Sequence, residues 1–186
     1  MDTVLSIFLG VGLAASVGFR VFVPLFALSL AAYLGHIPLN ESWMWVGSLT
    51  ALIVLGVATV VEIFAYYIPW VDNLLDTIAV PLAAVAGTAV MVATMADLDP
   101  VVTWSLAIIA GGGTATVIAS TSAATRLAST ATTGGLGNSG VSTVETATAG
   151  ILSITSVFVP IVAFVLTVVI ILIVRFFYKK VRGRTT

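Results

Sequence analysis

The sequence predicts an all-α protein that crosses a membrane several times. Hydrophobic residues make up 60% of its 186 residues, and the mean hydropathy is +1.20. Only 8% of the residues are charged, whereas a soluble domain has about 25%. Several apolar blocks reach the roughly 20 residues that a helix needs to cross about 30 Å of hydrocarbon. We therefore expect any activity to lie within or beside the membrane.

Six apolar blocks follow one another along the chain, and we expect each to form one or more helices. Short joints rich in Pro, Gly, Asn and Asp separate them, as turn chemistry predicts. Tryptophan and tyrosine residues lie at the block edges, which is typical of the aromatic belts at membrane interfaces. The blocks cover roughly residues 4–34, 43–67, 78–95, 101–133, 141–158 and 160–178.

Blocks 4–34 and 101–133 are too long for plain membrane spans. About 31 residues at 1.5 Å each make a helix of roughly 46 Å, well beyond the hydrocarbon thickness. Both blocks contain helix-breaking residues, and non-helical backbone at membrane depth is tolerated only where protein or a water-filled cavity covers it. We therefore predict a broken or re-entrant helix in each block. The predicted breaks and hinges, with two prolines from other blocks, are Gly18, Pro24, Pro81, Gly111, Gly112, Gly113 and Pro160.

Residues 1–174 are expected to form a single transmembrane domain made of two halves, about 4–95 and 101–178. Each half carries an Arg, then a Glu, then a Pro within apolar sequence, which indicates an internal repeat. If each half crosses three times the halves are inverted, as in many secondary transporters. If the Arg blocks are re-entrant the halves are parallel, and the sequence leaves both arrangements open. The matched residues are Arg20, Glu62 and Pro81 in the first half, and Arg126, Glu145 and Pro160 in the second.

The C-terminal tail, residues 175–186, carries the only dense basic cluster. Because Lys and Arg flank the cytoplasmic ends of membrane spans, this tail predicts a cytoplasmic C-terminus. We expect the membrane to be a prokaryotic cytoplasmic (inner) membrane. The start of the chain lacks the basic region of a cleaved signal peptide, so we expect the first apolar block to be retained. The basic residues are Arg175, Lys179, Lys180, Arg182 and Arg184.

Four charged residues inside the apolar blocks are the main candidates for a substrate or ion site. They are Arg20, Glu62, Arg126 and Glu145. Each costs roughly 2.5–3.5 kcal/mol at membrane depth on insertion scales, so such residues usually mark functional sites. The planar guanidinium group suits a carboxylate or phosphate. A carboxylate balanced between desolvation and a nearby Arg can load and release a proton. The alternative is a set of permanent ion pairs that only lock the helices together.

Asp72 and Asp76 are secondary candidates. They are one helical turn apart and share a face if residues 71–77 are helical. Two carboxylates on one face can bind a cation. Such residues are also favoured by the dipole at a helix N-terminus or by a solvated interfacial turn, and the sequence leaves these alternatives open.

Several spaced motifs resemble a known family. They are the segments 18–25 and 110–113, Glu62 with Asp72 and Asp76, Arg126, and Asn138 with Ser142 and Glu145. In this order they resemble the motifs of a family of integral membrane proteins known only as domain of unknown function four-one-two-six. The resemblance covers nearly the whole chain, adds Asn138 and Ser142 to the secondary candidates, and implies no activity.

The chain departs from that family pattern at three points. We would expect a basic residue after Glu62 and another near Pro81, and a second acidic residue after Glu145. This sequence instead has Tyr66 and Tyr67, Val80, and Thr146 at those points.

The composition argues against an enzyme and against bound cofactors or metals. The chain has no Cys, which removes thiol catalysis, disulfides and Cys-based metal sites. His36 is the sole histidine and lies in a predicted loop, so a histidine metal site has little support. The glycines at 111–113 lack the Lys of a phosphate-binding loop, which argues against direct coupling to a nucleotide.

The leading hypothesis is a small secondary transporter or a lipid flippase for an anionic or amphipathic substrate, coupled to an ion or proton. In it, the Arg and Glu residues pair around a midplane site. Expected partners are membrane lipids and an anionic small molecule or lipid, with no nucleic acid. Because the chain is short for a lone carrier, a homodimer is one expected arrangement. The alternatives are a non-transporting scaffold or assembly protein with structural ion pairs, and a channel.

Overall fold

The computed structural model describes residues 2–68, 71–96 and 98–182, and every regular element in those ranges is helical. The predicted all-α class is confirmed. Three helices, Leu74–Thr94, Pro100–Thr133 and Asn138–Phe158, are long and apolar enough to cross a membrane, and a bent pair at 41–65 is a fourth candidate. The elements are α1 (Thr3–Val17), α2 (Phe22–Tyr33), a 3-10 helix (Glu41–Gly47), α3 (Leu49–Ala65), α4 (Val71–Thr94), α5 (Pro100–Leu106), a π-helical segment (Ala107–Gly112), α6 (Gly113–Thr133), α7 (Asn138–Phe158) and α8 (Pro160–Arg182).

The first apolar block forms a re-entrant hairpin of α1 and α2, as one of the predicted alternatives had it. Two backbone N–H donors place its open ends beside the end of α4. Ala96 N donates to Ser6 Oγ at 3.2 Å, and Asn40 N donates to Ala93 O at 3.0 Å. The start of α1 and the chain after α2 therefore lie at the same end of the bundle, which we call the hairpin end. At about 22 Å, α1 is too short to cross the hydrocarbon alone.

The hairpin is packed on several sides, and α1 is buried almost all round from Leu9 to Val17. A helix that is apolar on every face belongs in the interior of a bundle. Ser16 makes a hydrogen bond of 2.7 Å with Ser153 and donates another to Ala149 O. Further along the chain Arg20 contacts Ser142, which lies earlier in α7 than Ser153, so α1 runs antiparallel to α7. The hairpin tip, residues 18–21, therefore points toward the opposite end of the bundle. We call that opposite end the tail end, since α8 finishes there.

The block at 101–133 corrects the predicted break. Residues 100–133 form one continuous helix of 34 residues, in which Ala107–Gly112 is π-helical. Gly111 and Gly112 serve close packing rather than interruption. A Cβ atom on Gly111 would lie 2.6 Å from Gly87 O in α4, whereas one on Gly113 would meet nothing within 4 Å.

The predicted proline hinges fall in two kinds of position. Pro24 and Pro160 lie in the first turns of α2 and α8, where a missing N–H costs no intrahelical bond. Pro81 lies inside α4, which continues across it from Val71 to Thr94.

The two halves of the chain differ in their first element. The α1–α2 hairpin opens the first half, and one long helix opens the second. After that, α3 runs toward the tail end and α7 away from it, and α4 and α8 are likewise opposed. An internal repeat stays a prediction, and these later helices are in the inverted arrangement.

Candidate functional site

Six ionisable side chains meet near the tail end, and we call them the charge cluster. They come from the hairpin tip, α3, α4, α6 and α7. Only Asp76 is appreciably exposed, at 21% of its side chain. Arg126 lies seven residues before the end of α6, about 10 Å along the helix. The cluster is therefore nearer the tail end than the middle of the helices. Its members are Arg20, Glu62, Asp72, Asp76, Arg126 and Glu145.

Arg20 lies at the hairpin tip and reaches across to α7. Its Nη1 is 3.3 Å from Glu145 Oε2. Its Nε donates to Thr146 Oγ1 at 3.0 Å, and its Nη2 donates to Ser142 Oγ at 2.7 Å and to Ser142 O at 3.1 Å. The residue is 1% exposed. The guanidinium group thus ties the hairpin tip to α7.

Arg126 binds carboxylates of two helices. Its Nη1 donates to Asp72 Oδ1 at 2.6 Å and lies 3.6 Å from Asp76 Oδ1, both in α4. Its Nη2 donates to Glu145 Oε2, and its Nε donates to Glu145 Oε1 at 3.4 Å. This two-pronged pairing is the geometry for which a guanidinium group is suited.

Glu145 is shared between the two guanidinium groups, because its Oε2 pairs with both Arg20 and Arg126. The ring of Tyr66 is also shared. The guanidinium carbons of the two Arg residues lie 3.9 and 4.1 Å from its centroid. An aromatic face attracts cations, so ring and carboxylate together hold two like charges close to each other.

Glu62 has a different role from the one expected, since it forms no ion pair with either Arg. Its Oε1 accepts from Val21 N at 2.8 Å, and its Oε2 accepts from Phe22 N at 2.9 Å. Because α2 begins inside the bundle, its first N–H groups have no water to bind and need an acceptor. Glu62 is therefore a charged cap on a helix of another segment, and the expectation of an Arg–Glu pair at this residue was wrong.

The secondary candidates either belong to the charge cluster or form a hydrogen bond with one of its members. Asp72 and Asp76 share a helix face, as predicted, and both face Arg126. Asn138 Nδ2 donates to Asp72 Oδ2 at 3.0 Å and to Thr130 Oγ1 at 2.9 Å. Ser142 binds Arg20. Whether these residues bind a substrate stays a prediction.

Sequence reasoning did not place Tyr66 or Thr146 in the site. Tyr66 looked like an interfacial aromatic residue, although it lies one helical turn after Glu62 and so shares its face. Thr146 follows Glu145 and accepts from Arg20 because its side chain lies on the same side of α7 as Ser142, one turn earlier.

Cavities surround the cluster. A small inner space of about 20 Å³ is lined by Glu62, Tyr66, Asp76 and Arg126, and has room for about one water. A larger cavity of about 250 Å³ lies between the ends of α3, α6 and α7 and reaches Tyr66, Asp72 and Asn138; we call it the tail-end cavity. Of the residues that line it, Asp72 accepts a hydrogen bond from Arg126.

Two apolar grooves approach the cluster from the sides of the bundle. One, of about 330 Å³, is lined by α6, α7 and α8 and reaches Glu145. The other, of about 380 Å³, is lined by α3 and α4 and reaches Glu62. Each groove therefore has one carboxylate in an otherwise mainly apolar lining.

The cluster holds four carboxyl groups but only two guanidinium groups. The N-terminus of α2 adds about half a positive charge beside Glu62. If every carboxyl were ionised, a net negative charge would be left in a poorly solvated place, which is unfavourable by several kcal/mol. The balance therefore favours uptake of protons or cations. In the described part of the chain, no three His, Cys, Asp or Glu side chains are grouped to hold a metal ion.

A family model decides which proteins this chain groups with. The model described as domain of unknown function (DUF4126) matches residues 7–180. The chain belongs to this family. The resemblance seen in the spaced motifs is thereby confirmed, and the DUF4126 match spans the hairpin, the charge cluster and the start of the basic tail. No curated protein and no solved structure matches the chain.

Proposed function

We propose that this DUF4126 protein is a small secondary transporter, in which the charge cluster takes both an anionic substrate group and protons. The observation that carries the proposal is the sharing of Glu145 by Arg20 and Arg126, within a cluster that has two more carboxyl than guanidinium groups. Permanent ion pairs that only lock the helices together would need equal numbers of positive and negative groups. A surplus of carboxyl groups instead allows the cluster to take up protons.

Glu145 is the exchangeable anion in this proposal. When its carboxylate is protonated, it no longer neutralises Arg20 and Arg126. A carboxylate or phosphate of the substrate then takes its place on the two guanidinium groups, which suit such anions. Release of the proton returns Glu145 to the guanidinium groups and expels the substrate. Proton and anion are thereby moved together.

Asp76 supplies the route for protons. It is the most exposed carboxyl of the cluster, and it lies 3.6 Å from Arg126, which in turn binds Glu145. It also lines the inner space that has room for about one water. A proton arriving at Asp76 needs one bridging water to move further into the cluster.

The lateral grooves extend the proposal to an amphipathic substrate. The groove at α6, α7 and α8 reaches Glu145, so an acyl chain lying in it would place an anionic headgroup beside the two Arg residues. The hydrophobic effect, about 25 cal/mol per Å² of apolar surface removed from water, does not favour the groove over bilayer lipid, because both are apolar. Only packing holds the acyl chain in the groove. The headgroup therefore carries the selectivity in this flippase version.

The α1–α2 hairpin is the moving part in the proposal. Its tip contacts the cluster through Arg20 and through the cap that Glu62 makes on Val21 and Phe22. A change of charge at Glu145 alters one of these two attachments directly. The tail end faces the cytoplasm of an inner membrane in this arrangement, because the last turns of α8 carry the basic residues Arg175, Lys179, Lys180 and Arg182.

A scaffold is the second candidate, and one observation favours it. Each donor nitrogen of Arg20 and Arg126 has an acceptor or a carboxylate partner in the bundle. Such saturation is what a lock between helices requires. A scaffold differs from a transporter in one measurable respect. It does not require Glu145 to exchange protons with the solution.

The experiment that separates the two is flux into proteoliposomes. Vesicles with a trapped pH-sensitive dye are given an inward gradient of inorganic phosphate or of a short aliphatic carboxylate, at a fixed membrane potential. We expect anion-dependent proton entry with the wild type and its loss in Arg20→Gln and Glu145→Gln, while the exposed Glu41→Gln control retains it. If the wild type moves no protons with any anion while the protein stays folded, the transporter is excluded and the scaffold is favoured.

A further inference from the structure

We propose that the substrate of the charge cluster is a free fatty acid, which enters in its protonated form through the lateral groove between α6, α7 and α8. We call this groove of about 330 Å³ the Glu145 groove, because Glu145 is the one ionisable residue among the described residues that line it. A single acidic group in a mainly apolar lining suits an amphipathic ligand with one polar end. The apolar part of the lining consists of Phe19, Ile118, Val141, Val144, Ile170 and Val174.

The Glu145 groove adjoins the two guanidinium groups of the cluster. Phe19 and Ser122 line both this groove and the small inner space, which Arg126 also lines. Ser122 lies one helical turn before Arg126 and therefore shares its face of α6. Glu145 Oε2 lies 3.3 Å from Arg20 Nη1 and accepts a hydrogen bond from Arg126 Nη2. A head group that reaches Glu145 in the groove is therefore next to both cations.

The groove has the size of one acyl chain. Along α6 it extends from Ile118 to Thr125, which is about 10 Å at 1.5 Å per residue. Its volume is at the lower end of the range of about 300–1,000 Å³ that small-molecule sites have. Val144 in its wall is 67% exposed, so the groove is open at the side of the bundle. A fatty acid places its carboxyl end and the adjoining methylene groups here, and the rest of a long chain stays in the bilayer.

A carboxyl head group is favoured over a phosphate because it brings its own proton. A charged group is costly at hydrocarbon depth, whereas a protonated carboxylic acid arrives there uncharged. A phosphodiester is ionised at neutral pH and has no proton to give. The class of substrate is therefore a carboxylic acid with one long apolar chain.

The acid exchanges with Glu145 by transfer of one proton. Its O–H group donates to the Glu145 carboxylate, the O–H bond of the acid breaks, and a new O–H bond forms on Glu145. The fatty carboxylate then takes the place of Glu145 on Arg20 and Arg126, since both anions present the same two oxygens to a guanidinium group. The net charge of the cluster is the same before and after the exchange. No additional charge has to be held in this poorly solvated place, which would be unfavourable.

This inference deepens the proposed function by naming its substrate class, and it rests on that function only for the movement of the acid. Binding is measured without flux, so the two fail separately. Fatty-acid binding with no flux of any anion would support the site and exclude the transporter. Flux of a short carboxylate with no fatty-acid binding would support the transporter and overturn the fatty acid as its substrate.

The experiment is photolabelling of the purified protein in lipid nanodiscs. The probe is a palmitic acid analogue with a diazirine in its acyl chain, and mass spectrometry identifies the labelled peptides. We expect label on the groove wall in α6 and α8, and its loss when unlabelled palmitic acid is added. Hexadecanol has the same chain without the acid, and phosphatidylglycerol is an anionic lipid with two chains. Neither should compete.

Two glycines of α7 provide a matched pair of variants. Gly140 lines the groove and Gly150 does not, and a Cβ atom on either would meet nothing within 4 Å. Gly140→Phe fills the groove and is expected to weaken the apparent affinity for palmitic acid by about tenfold, which corresponds to about 1.4 kcal/mol. Gly150→Phe should be labelled like the wild type. If a glycine variant fails to fold, Val144→Trp in the groove wall and Ile151→Trp outside it repeat the comparison at exposed positions of α7.

Each outcome decides for or against the site. Competed label in the groove wall that is lost in Gly140→Phe and retained in Gly150→Phe supports the proposal. Equal competition by hexadecanol or phosphatidylglycerol overturns it, because the groove then holds only bilayer lipid. Absence of label from the groove wall also overturns it, and is the result expected if a second copy of the chain covers the groove. Equal labelling of Gly140→Phe and Gly150→Phe would place the bound acid elsewhere.

Discussion

Arg20 and Arg126 lie over the same aromatic ring and bind the same carboxylate oxygen. The ring is that of Tyr66, and the oxygen is Glu145 Oε2. Two cations gathered around one ring and one carboxylate repel each other, so this arrangement needs both attractions. It also makes the hairpin tip and α6 depend on one another, since each contributes one of the two Arg residues.

Replacement of Tyr66 tests the aromatic part of this arrangement. Tyr66→Leu removes the ring face from both guanidinium groups, and we expect the free energy of unfolding to fall by about 2 kcal/mol. Tyr66→Phe keeps the ring and should stay within about 0.5 kcal/mol of the wild type. Reversible unfolding in mixed micelles, followed by circular dichroism, gives both values. Equal losses in the two variants would contradict a role for the ring face.

Replacement of Glu62 tests the charged cap on α2. A Gln at this position accepts from only one of Val21 N and Phe22 N and turns its own N–H₂ group toward the other. We expect the free energy of unfolding to fall by about 1–2 kcal/mol, as for the loss of a helix cap. The same micelle titration applies, with Glu41→Gln in the exposed 3-10 helix as the control. A Glu62→Gln protein as stable as that control would be incompatible with the cap.

Two neighbouring glycines test the contact between α4 and α6. Gly111→Ala places a methyl group 2.6 Å from Gly87 O, so we expect a loss of about 1–3 kcal/mol through overpacking. Gly113→Ala meets nothing within 4 Å and should raise stability by about 0.5–1 kcal/mol, since Ala is the better helix former. Thermal unfolding of the two variants, compared with the wild type, checks both signs. Shifts in the same direction would count against the packing.

The hairpin predicts which side of the membrane each segment reaches. Because the native chain has no Cys, a single introduced thiol reports its own position. Asp2→Cys and His36→Cys should react with an impermeant maleimide from one side of sealed vesicles. Leu136→Cys and Tyr178→Cys, both exposed at the tail end, should react from the other side. Labelling of Asp2→Cys and His36→Cys from different sides would mean that residues 3–33 cross the membrane and form no hairpin.

The sequence predicts much of this fold because insertion into lipid requires long apolar helices. The all-α class and the break near Gly18 follow from hydropathy and from helix-breaking residues. The continuous helix at 100–133 does not, because glycine has two meanings in a helix: it breaks the helix or it admits a close neighbour. Only the position of Gly87 in α4 decides between them.

The candidate site was predictable in its members more than in its pairing. Buried Arg20, Arg126 and Glu145 were indicated by the high cost of charge in apolar sequence. The pairing of Asp72 with Arg126, and the use of Glu62 as a cap, depend on which helix ends meet in space. The local sequence does not determine which helix ends meet. Tyr66 was missed because the membrane interface already explains an aromatic residue at the edge of an apolar block.

The hairpin has a consequence for how the protein is made. Its tip is synthesised before the groups that bind it, which are Glu62, Ser142 and Glu145. Arg20 therefore lacks its carboxylate partner until Glu145 has been synthesised, 125 positions later. The hairpin tip is made before α7 but is held in place only after α7 is inserted, so biogenesis has to accommodate an unpaired cation in the meantime.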